Sequence, residues 1–324
     1  MWRNTYEYIT DLDNLTEVIA MEKSDLIKHL MEVGDTRPYK TIYLGTHDSE
    51  FHADELLATA VLFHELEPLG YTLKVIRTRS KHRLREDCDI VYDVGGGRYD
   101  HHTEDKVYYP NGIPMAACGK ILNDVITDHV IAEGLRVRLF YAVEAHDNGV
   151  PLPEGFATSK LAFVSTLNPT WEEDCSPRAM ISRFFMALKF VRKVYERTLA
   201  IVQSDINAVS YLNEHAVPIL DGKFIMLDRD CPTYAYMKSH EKCLGAIYPK
   251  SGQWLLRLAP TFRQRYDTKV SFPKRMCGLS GSMLEIECGI KGALFCHPSG
   301  FIVAMSTREG CYEMAKLVLD ECTE

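Results

Sequence analysis

The stretch "TIYLGTHDSEFHADELLATAVLFHEL", residues 41–66, passes from a short apolar run through a polar loop into an apolar segment of helix length. It reads as a buried strand, a loop and a helix. Two further apolar runs follow, "TLKVIRT" at 72–78 and "DIVYDVGGG" at 89–97, the second ending in glycines. Strands that alternate with helices predict an α/β fold with a parallel sheet covered on both faces. Ligands of such sheets bind outside the carboxyl ends of the strands. His47 and Asp93 both fall there.

The first loop is crowded. "HDSEFHADE" places His47, His52 and Asp54 within eight positions. Loops are usually polar, so any one of these fits a solvated turn. "DVGGGRYDHH" and "EAHDNG" add Asp93, Asp100, His101, His102 and Asp147 at other loop or strand ends. Each again has a plain reading: Asp93 caps a turn, and Asp147-Asn148-Gly149 stops a helix. The set points elsewhere. Histidine and aspartate together, without cysteine, suit Mn²⁺, Mg²⁺ or another hard or borderline divalent ion. Six or seven ligands exceed what one ion with open positions needs. They fit two ions sharing a carboxylate, the arrangement used to attack phosphorus in line. Asp93 is the natural bridge, because it sits on a buried strand whose following glycines allow close backbone approach.

The rest of the chain organises around this segment. Residues 1–40 read as a helical extension, with "EKSDLIKHLMEVG" its clearest helix, ending near Gly34. Two helices are expected at roughly 115–133 and 136–147, followed by a long, Pro-containing connection. Ser176 and Pro177 signal a helix start. Ile181, Phe184, Phe185, Leu188, Val191, Tyr195, Val202, Ile206 and Val209 then recur at helical spacing, which predicts a long amphipathic helix over 176–215. From 216 short strands dominate, "VPILDG", "KFIMLD", "LGAIYP", "WLLRLAP" and "ALFCHPSGFIVAMS", and the helix "EGCYEMAKLVLDEC" closes the chain. The expected domains are therefore 41–175, which carries the ligands, and 216–324, joined by that helix.

Composition narrows the class. With 324 residues, 46% hydrophobic and 25% charged, the chain has the profile of a two-domain soluble protein. A formal charge of −8 argues against a generally basic nucleic-acid coat. It leaves room for a local basic groove, or for a metal that supplies positive charge. The ten cysteines include no C-x-x-C pair, which argues against zinc ribbons and fingers. "MWRNTYEYITDLDNL" lacks a signal-peptide core and an Arg-rich amphipathic pattern, and no apolar run reaches membrane-span length. The expected compartment is the cytoplasm.

"YLGTHDSEFHADELLATAVL", "CDIVYDVGGGRYDHH", "AHDNG" and "GIKGALFCHPSGFIVAMSTREGCYEMA" resemble, in order and spacing, the MYG1 family, a branch of the DHH phosphoesterase superfamily. The likeness runs from about residue 41 to the C-terminus and is poor over 1–40 and over parts of 155–215 and 230–275. Asp48 and Ala53 stand where the family commonly has asparagine and cysteine. The resemblance implies a DHH-type parallel-sheet domain, a long helix and a smaller DHHA1-like α/β domain, with the active site in the cleft. It implies two manganese ions, with Mg²⁺ or Co²⁺ as substitutes. His47, His52 and Asp93 would hold one ion. Asp54, Asp93, His101 and Asp147 would hold the other. His102 would face the substrate phosphate and Asp100 would orient its neighbours. In the C-terminal domain, Gly278, Ser280 and Gly281 of "CGLSGS", His297, Ser299 and Gly300 of "CHPSG", and Arg275 would grip substrate. Arg263, Arg265 and Lys274 belong to the same locally basic stretch as Arg275. The implied activity is 3′–5′ exonuclease action on RNA or short oligonucleotides, without a membrane partner. A cyclic-dinucleotide phosphodiesterase, a pyrophosphatase and a non-catalytic nucleotide-binding protein are the alternatives, and a homodimer remains open.

Overall fold

The computed structural model describes residues 23–153, 159–261 and 267–322. Arg263, Arg265 and residues 1–22 of the expected extension lie outside the described residues. The chain divides into two compact units between Gln203 and Ser204.

The first unit opens with α1 (Asp25–Asp35), capped where Ser24 Oγ accepts from the Ile27 N–H at 3.3 Å. Its Ile27, Leu30 and Gly34 face inward. Three strands follow, β1 (Thr41–Thr46), β2 (Thr72–Arg77) and β3 (Ile90–Val91), parallel and in the order β2-β1-β3. The expected alternation of strand and helix holds. β1 is central and almost wholly buried, which is why its sequence is a continuous apolar run rather than an alternating one. Gly45 is needed there: a Cβ would lie 2.7 Å from Cys88 Sγ. Asp89 ties the entry to β3, accepting from the Tyr43 N–H at 2.8 Å and from the Arg37 guanidinium.

Register sets up the site. Gly45 of β1 pairs with Val91 of β3, so two residues further on His47 and Asp93 come side by side. Between β1 and β2 runs α2 (Ala53–Leu66), buried over nearly its whole length. α3 (Lys81–Asp87) precedes β3. The expected helix at 115–133 is instead two. α4 (Ala117–Val125) stops, and Asp128 starts α5 (His129–Leu135) by accepting from the N–H groups of Val130 and Ile131. A side-chain oxygen at that position competes with helix continuation and caps a new one. A π-turn at Arg136–Phe140 then leads into α6 (Tyr141–Asp147).

The long helix α7 (Pro177–His215) is present, and the division between units falls inside it. In the second unit β4 (Val217–Ile219), β5 (Phe224–Met226), β6 (Gly245–Lys250), β7 (Gln253–Leu258), β8 (Ala293–Cys296) and β9 (Ile302–Met305) form one sheet, ordered β4-β5-β6-β7-β9-β8. Only β5 and β6 among these neighbours run parallel. α8 (Tyr234–Ser239), α9 (Gly281–Cys288) and α10 (Arg308–Cys322) complete it. Among the described residues no helix is long and apolar enough to cross a membrane.

Candidate metal centre

His47 stands at the exit of β1, with Nδ1 2.8 Å from the Asp48 carbonyl oxygen. A carbonyl can only accept, so Nδ1 carries the proton there. The other nitrogen, Nε2, faces Asp93 Oδ2 at 3.2 Å and Glu55 Oε1 at 3.3 Å. Burial works against an imidazolium, but those carboxylates outweigh it and push the His47 pKa up to about 9. The same carboxylates favour a second proton on the ring.

His101 repeats the arrangement on the other side of Asp93. Its Nε2 lies 2.9 Å from Asp147 Oδ2, at the end of α6, while Nδ1 faces Asp93 Oδ1 at 3.3 Å and Asp54 Oδ2 at 3.7 Å. Asp93 Oδ1 and His101 Nδ1 are buried and have no hydrogen-bond partner. With the ring proton on Nε2, a lone pair and a carboxylate oxygen point at one another. A cation between them resolves that opposition, as does a second ring proton, which the neighbouring carboxylates favour against burial. A carboxylate receiving the outer N–H is the usual support of a metal-binding histidine.

Asp93 adopts φ 58°, two residues beyond β3 rather than within a strand. Aspartate tolerates this left-handed conformation better than most residues, at a cost of about 1–3 kcal/mol. The glycines behind it act differently from the expectation. Nothing would approach a Cβ on Gly96 or Gly97 within 4 Å, so close approach is not what they provide. Gly95 and Gly96 have φ 91° and 76°, and this reversal carries the chain back to Asp100-His101-His102. Asp100 fastens the turn: its carboxylate accepts from the N–H groups of Gly96 at 2.7 Å and His102 at 2.9 Å, and lies 3.0 Å from His102 Nδ1. These bonds hold the Asp100 carboxyl below its ordinary value against its burial.

The structure brings together His47, His52, Asp54, Asp93, His101, His102 and Asp147, and adds Glu55. Three sets each have one ligand atom per residue within 4.8 Å of the others: His47, His52, Glu55 and Asp93; Asp93, His101 and His102; Asp54, Asp93, His101 and Asp147. Asp93 belongs to all three. Glu55 had a misleading signal. As third residue of a helix behind His52 it reads as a cap, and it does accept the His52 N–H at 2.9 Å. It is also wholly buried against His47. Asp54 accepts from Ala117 N at 3.0 Å and Cys118 N at 2.7 Å, capping α4, and each of its oxygens keeps a further lone pair. Burial, with the charges of neighbouring carboxylates, raises the pKa of both Asp54 and Glu55.

Glu144 lies behind the cluster and was not singled out by the sequence. Its Oε1 accepts from Ala116 N at 3.0 Å and Tyr109 OH at 3.2 Å, while Oε2 has no partner. Gly119 leaves room for it: a Cβ there would lie 1.9 Å from Oε1. Burial pushes the Glu144 carboxyl up to about 8, despite the Ala116 N–H. The folded protein then keeps a proton that the unfolded chain releases at about pH 4.3, so stability falls as pH rises between these values. The slope reaches about 1.4 kcal/mol per pH unit for one group. Glu144→Gln is expected to flatten this part of the curve in chelator-treated protein, read as melting temperature from pH 5 to pH 8. An unchanged slope would remove Glu144 as its source.

In the second unit the two glycine motifs lie together. Gly278 N donates to Cys296 O and Cys296 N to Leu279 O, both at 3.0 Å. Ser280 precedes α9, Gly281 begins it with φ 55°, and Gly300 has φ 62°. His297 Nδ1 accepts from Ser299 N at 3.0 Å. Arg275 is engaged by Glu287 at 2.8 Å and by Glu321.

A histidine and carboxylate cluster at the carboxyl ends of a parallel sheet defines a candidate metal-dependent α/β protein. The MYG1_exonuc family model, described as "Uncharacterised protein family (UPF0160)", matches residues 43–319, and the chain belongs to this family. A MYG1 protein of Chlamydia trachomatis is 30% identical over 297 residues, covering 86% of this chain and 96% of that protein. A protein of Rattus norvegicus named MYG1 exonuclease is 30% identical over 331 residues, covering 86% of this chain and 85% of its own. MYG1 protein YER156C of Saccharomyces cerevisiae is 26% identical over 322 residues, covering 85% and 94%. Among solved structures, RecJ of Thermus thermophilus in complex with Mn²⁺ aligns with 95% of this chain and 56% of its own, at 12% identity and a TM-score of 0.25.

Proposed function

We propose that the protein is a two-metal phosphodiesterase that removes nucleotides from the 3′ end of RNA or short oligonucleotides. One observation carries the metal centre. Asp93 turns one oxygen to His47 and the other to His101, and both histidines present a ring nitrogen to it. Charge supports the number of ions. Asp54, Glu55, Asp93 and Asp147 bring four negative charges, which two divalent cations balance with the histidines neutral. Binding then displaces protons that the metal-free cluster retains. His/carboxylate donors without sulfur suit Mn²⁺, with Mg²⁺ or Co²⁺ as substitutes. Such ions, when bound, polarise a phosphoryl oxygen and favour in-line attack.

The chain's own residues do the rest. His47, His52, Glu55 and Asp93 form one ligand set, and Asp54, Asp93 and His101 a second that Asp147 completes or supports. His102, held by Asp100 and largely exposed, faces the substrate phosphate and donates a hydrogen bond to it. The name of the rat relative, MYG1 exonuclease, supports this choice of reaction.

Mn²⁺ is expected to restore hydrolysis of a labelled oligonucleotide to chelator-treated protein and to raise its melting temperature. Saturation at about 100 times the dissociation constant adds about 2.7 kcal/mol. Full activity in protein shown by elemental analysis to be metal-free would sink the reading. Faster turnover of a cyclic dinucleotide or pyrophosphate in the same assay would reassign the substrate, and no turnover of any would favour a non-catalytic binding protein.

A further inference from the structure

Beside the candidate metal centre, and within the first unit, lies a cavity of about 300 Å³. His52, His102 and Asp147 form the wall it shares with that centre. Ser159, Leu161, Ala162, Val164 and Ser165, from a stretch that the sequence presents only as a connection, also line it. That segment is fastened in place. Asn168 Oδ1 accepts from Phe51 N at 3.0 Å and its Nδ2 donates to Phe51 O at 2.8 Å, joining it to the loop that carries His52. Leu161 and Val164 are buried against the core, so the wall is packed as well as tethered.

We propose that this cavity seats the single terminal nucleoside of the substrate, with the scissile phosphate at the His52–His102–Asp147 wall. The inference rests on the phosphoesterase reading above. Its volume lies at the small end of ligand pockets, about 300–1,000 Å³, which suits one nucleoside and not two stacked ones. Its chemistry is that of an uncharged guest. Val143, Leu161, Ala162 and Val164 offer apolar surface, and Ser159 and Ser165 offer hydroxyls for sugar or base edges. Among the described lining residues there is no lysine or arginine, and beyond the His52–His102–Asp147 wall the one basic group is the imidazole of His146. A second phosphate would have at most that one ring to pair with, and a poorly paired anion is disfavoured. The site therefore reads a free chain end, and it removes one nucleotide at a time.

Binding tests this without turnover. Calorimetric titrations of the Mn²⁺-loaded protein would use inorganic phosphate, adenosine 5′-monophosphate and adenosine 3′,5′-bisphosphate. The monophosphate is expected to bind at least ~10-fold tighter than phosphate, and the 3′-phosphate to cancel that gain. Ala162 lines the cavity and is otherwise exposed, so Ala162→Phe fills it without entering the core. This variant is expected to keep its metal content, melting temperature and phosphate affinity while losing the preference for the monophosphate. If phosphate binds but the monophosphate binds no tighter in wild type, the nucleoside site is overturned. The same holds if the preference survives in a folded Ala162→Phe. If phosphate itself fails to bind, the phosphoesterase reading falls first and takes this inference with it.

Discussion

Asp93→Asn is expected to reduce bound manganese from two ions per chain to one or none and to abolish hydrolysis, by at least about 10³-fold, the scale lost when groups act as a unit. The substitution keeps the backbone, because asparagine accepts the left-handed conformation that Asp93 adopts with φ 58°. It also keeps the volume. On the two-metal proposal, what it would remove is the charge shared between two cations, whose mutual repulsion no other carboxylate in the cluster would face from both sides. Metal-free Asp93→Asn loses the carboxylate that faces His47 Nε2 at 3.2 Å, so it is expected to melt below metal-free wild type. The gain in melting temperature on adding Mn²⁺ should be largely lost. Elemental analysis and thermal melts read these outcomes. A variant that retained two ions and turnover would remove Asp93 from the bridging position.

His102→Ala is expected to spare the metal and to lower the rate by a smaller factor. His102 is 62% exposed at its side chain, held by Asp100 at 3.0 Å, and lines the cavity beside the centre. Truncating an exposed ring leaves the core untouched, so fold and both ions should persist. Losing a positioned donor to the phosphate should cost ~10²-fold or more in kcat. The geometry supplies a competing role, because His102 Nδ1 lies 3.5 Å from Asp93 Oδ1 and groups with Asp93 and His101. Loss of an ion on His102→Ala would make it a ligand instead.

The parallel alternation was legible in residues 41–97 because strand and helix signals there are local and strong. The neighbourhood of His47 and Asp93 followed from it, since both sit just beyond strands that pair in register. Other contributions carry no local signature. Glu55 looks like an ordinary helix-start residue, and its turn toward His47 comes from packing. Glu144 reads as one polar residue on an apolar helix, and only Gly119 and Tyr109, distant in sequence, reveal that it is enclosed. Asn168 meets Phe51 across 117 positions, so a segment that reads as a linker becomes a wall. The break at Asp128 was readable in principle from a capping residue inside an apolar pattern.

The central claim is that Asp93 joins two metal ions. Anomalous diffraction at the manganese edge from crystals grown with Mn²⁺ tests it most directly. Two peaks are expected, one between Asp93 Oδ2 and His47 Nε2 and one between Asp93 Oδ1 and His101. A single peak, or two peaks of which neither contacts the Asp93 carboxylate, would contradict the account.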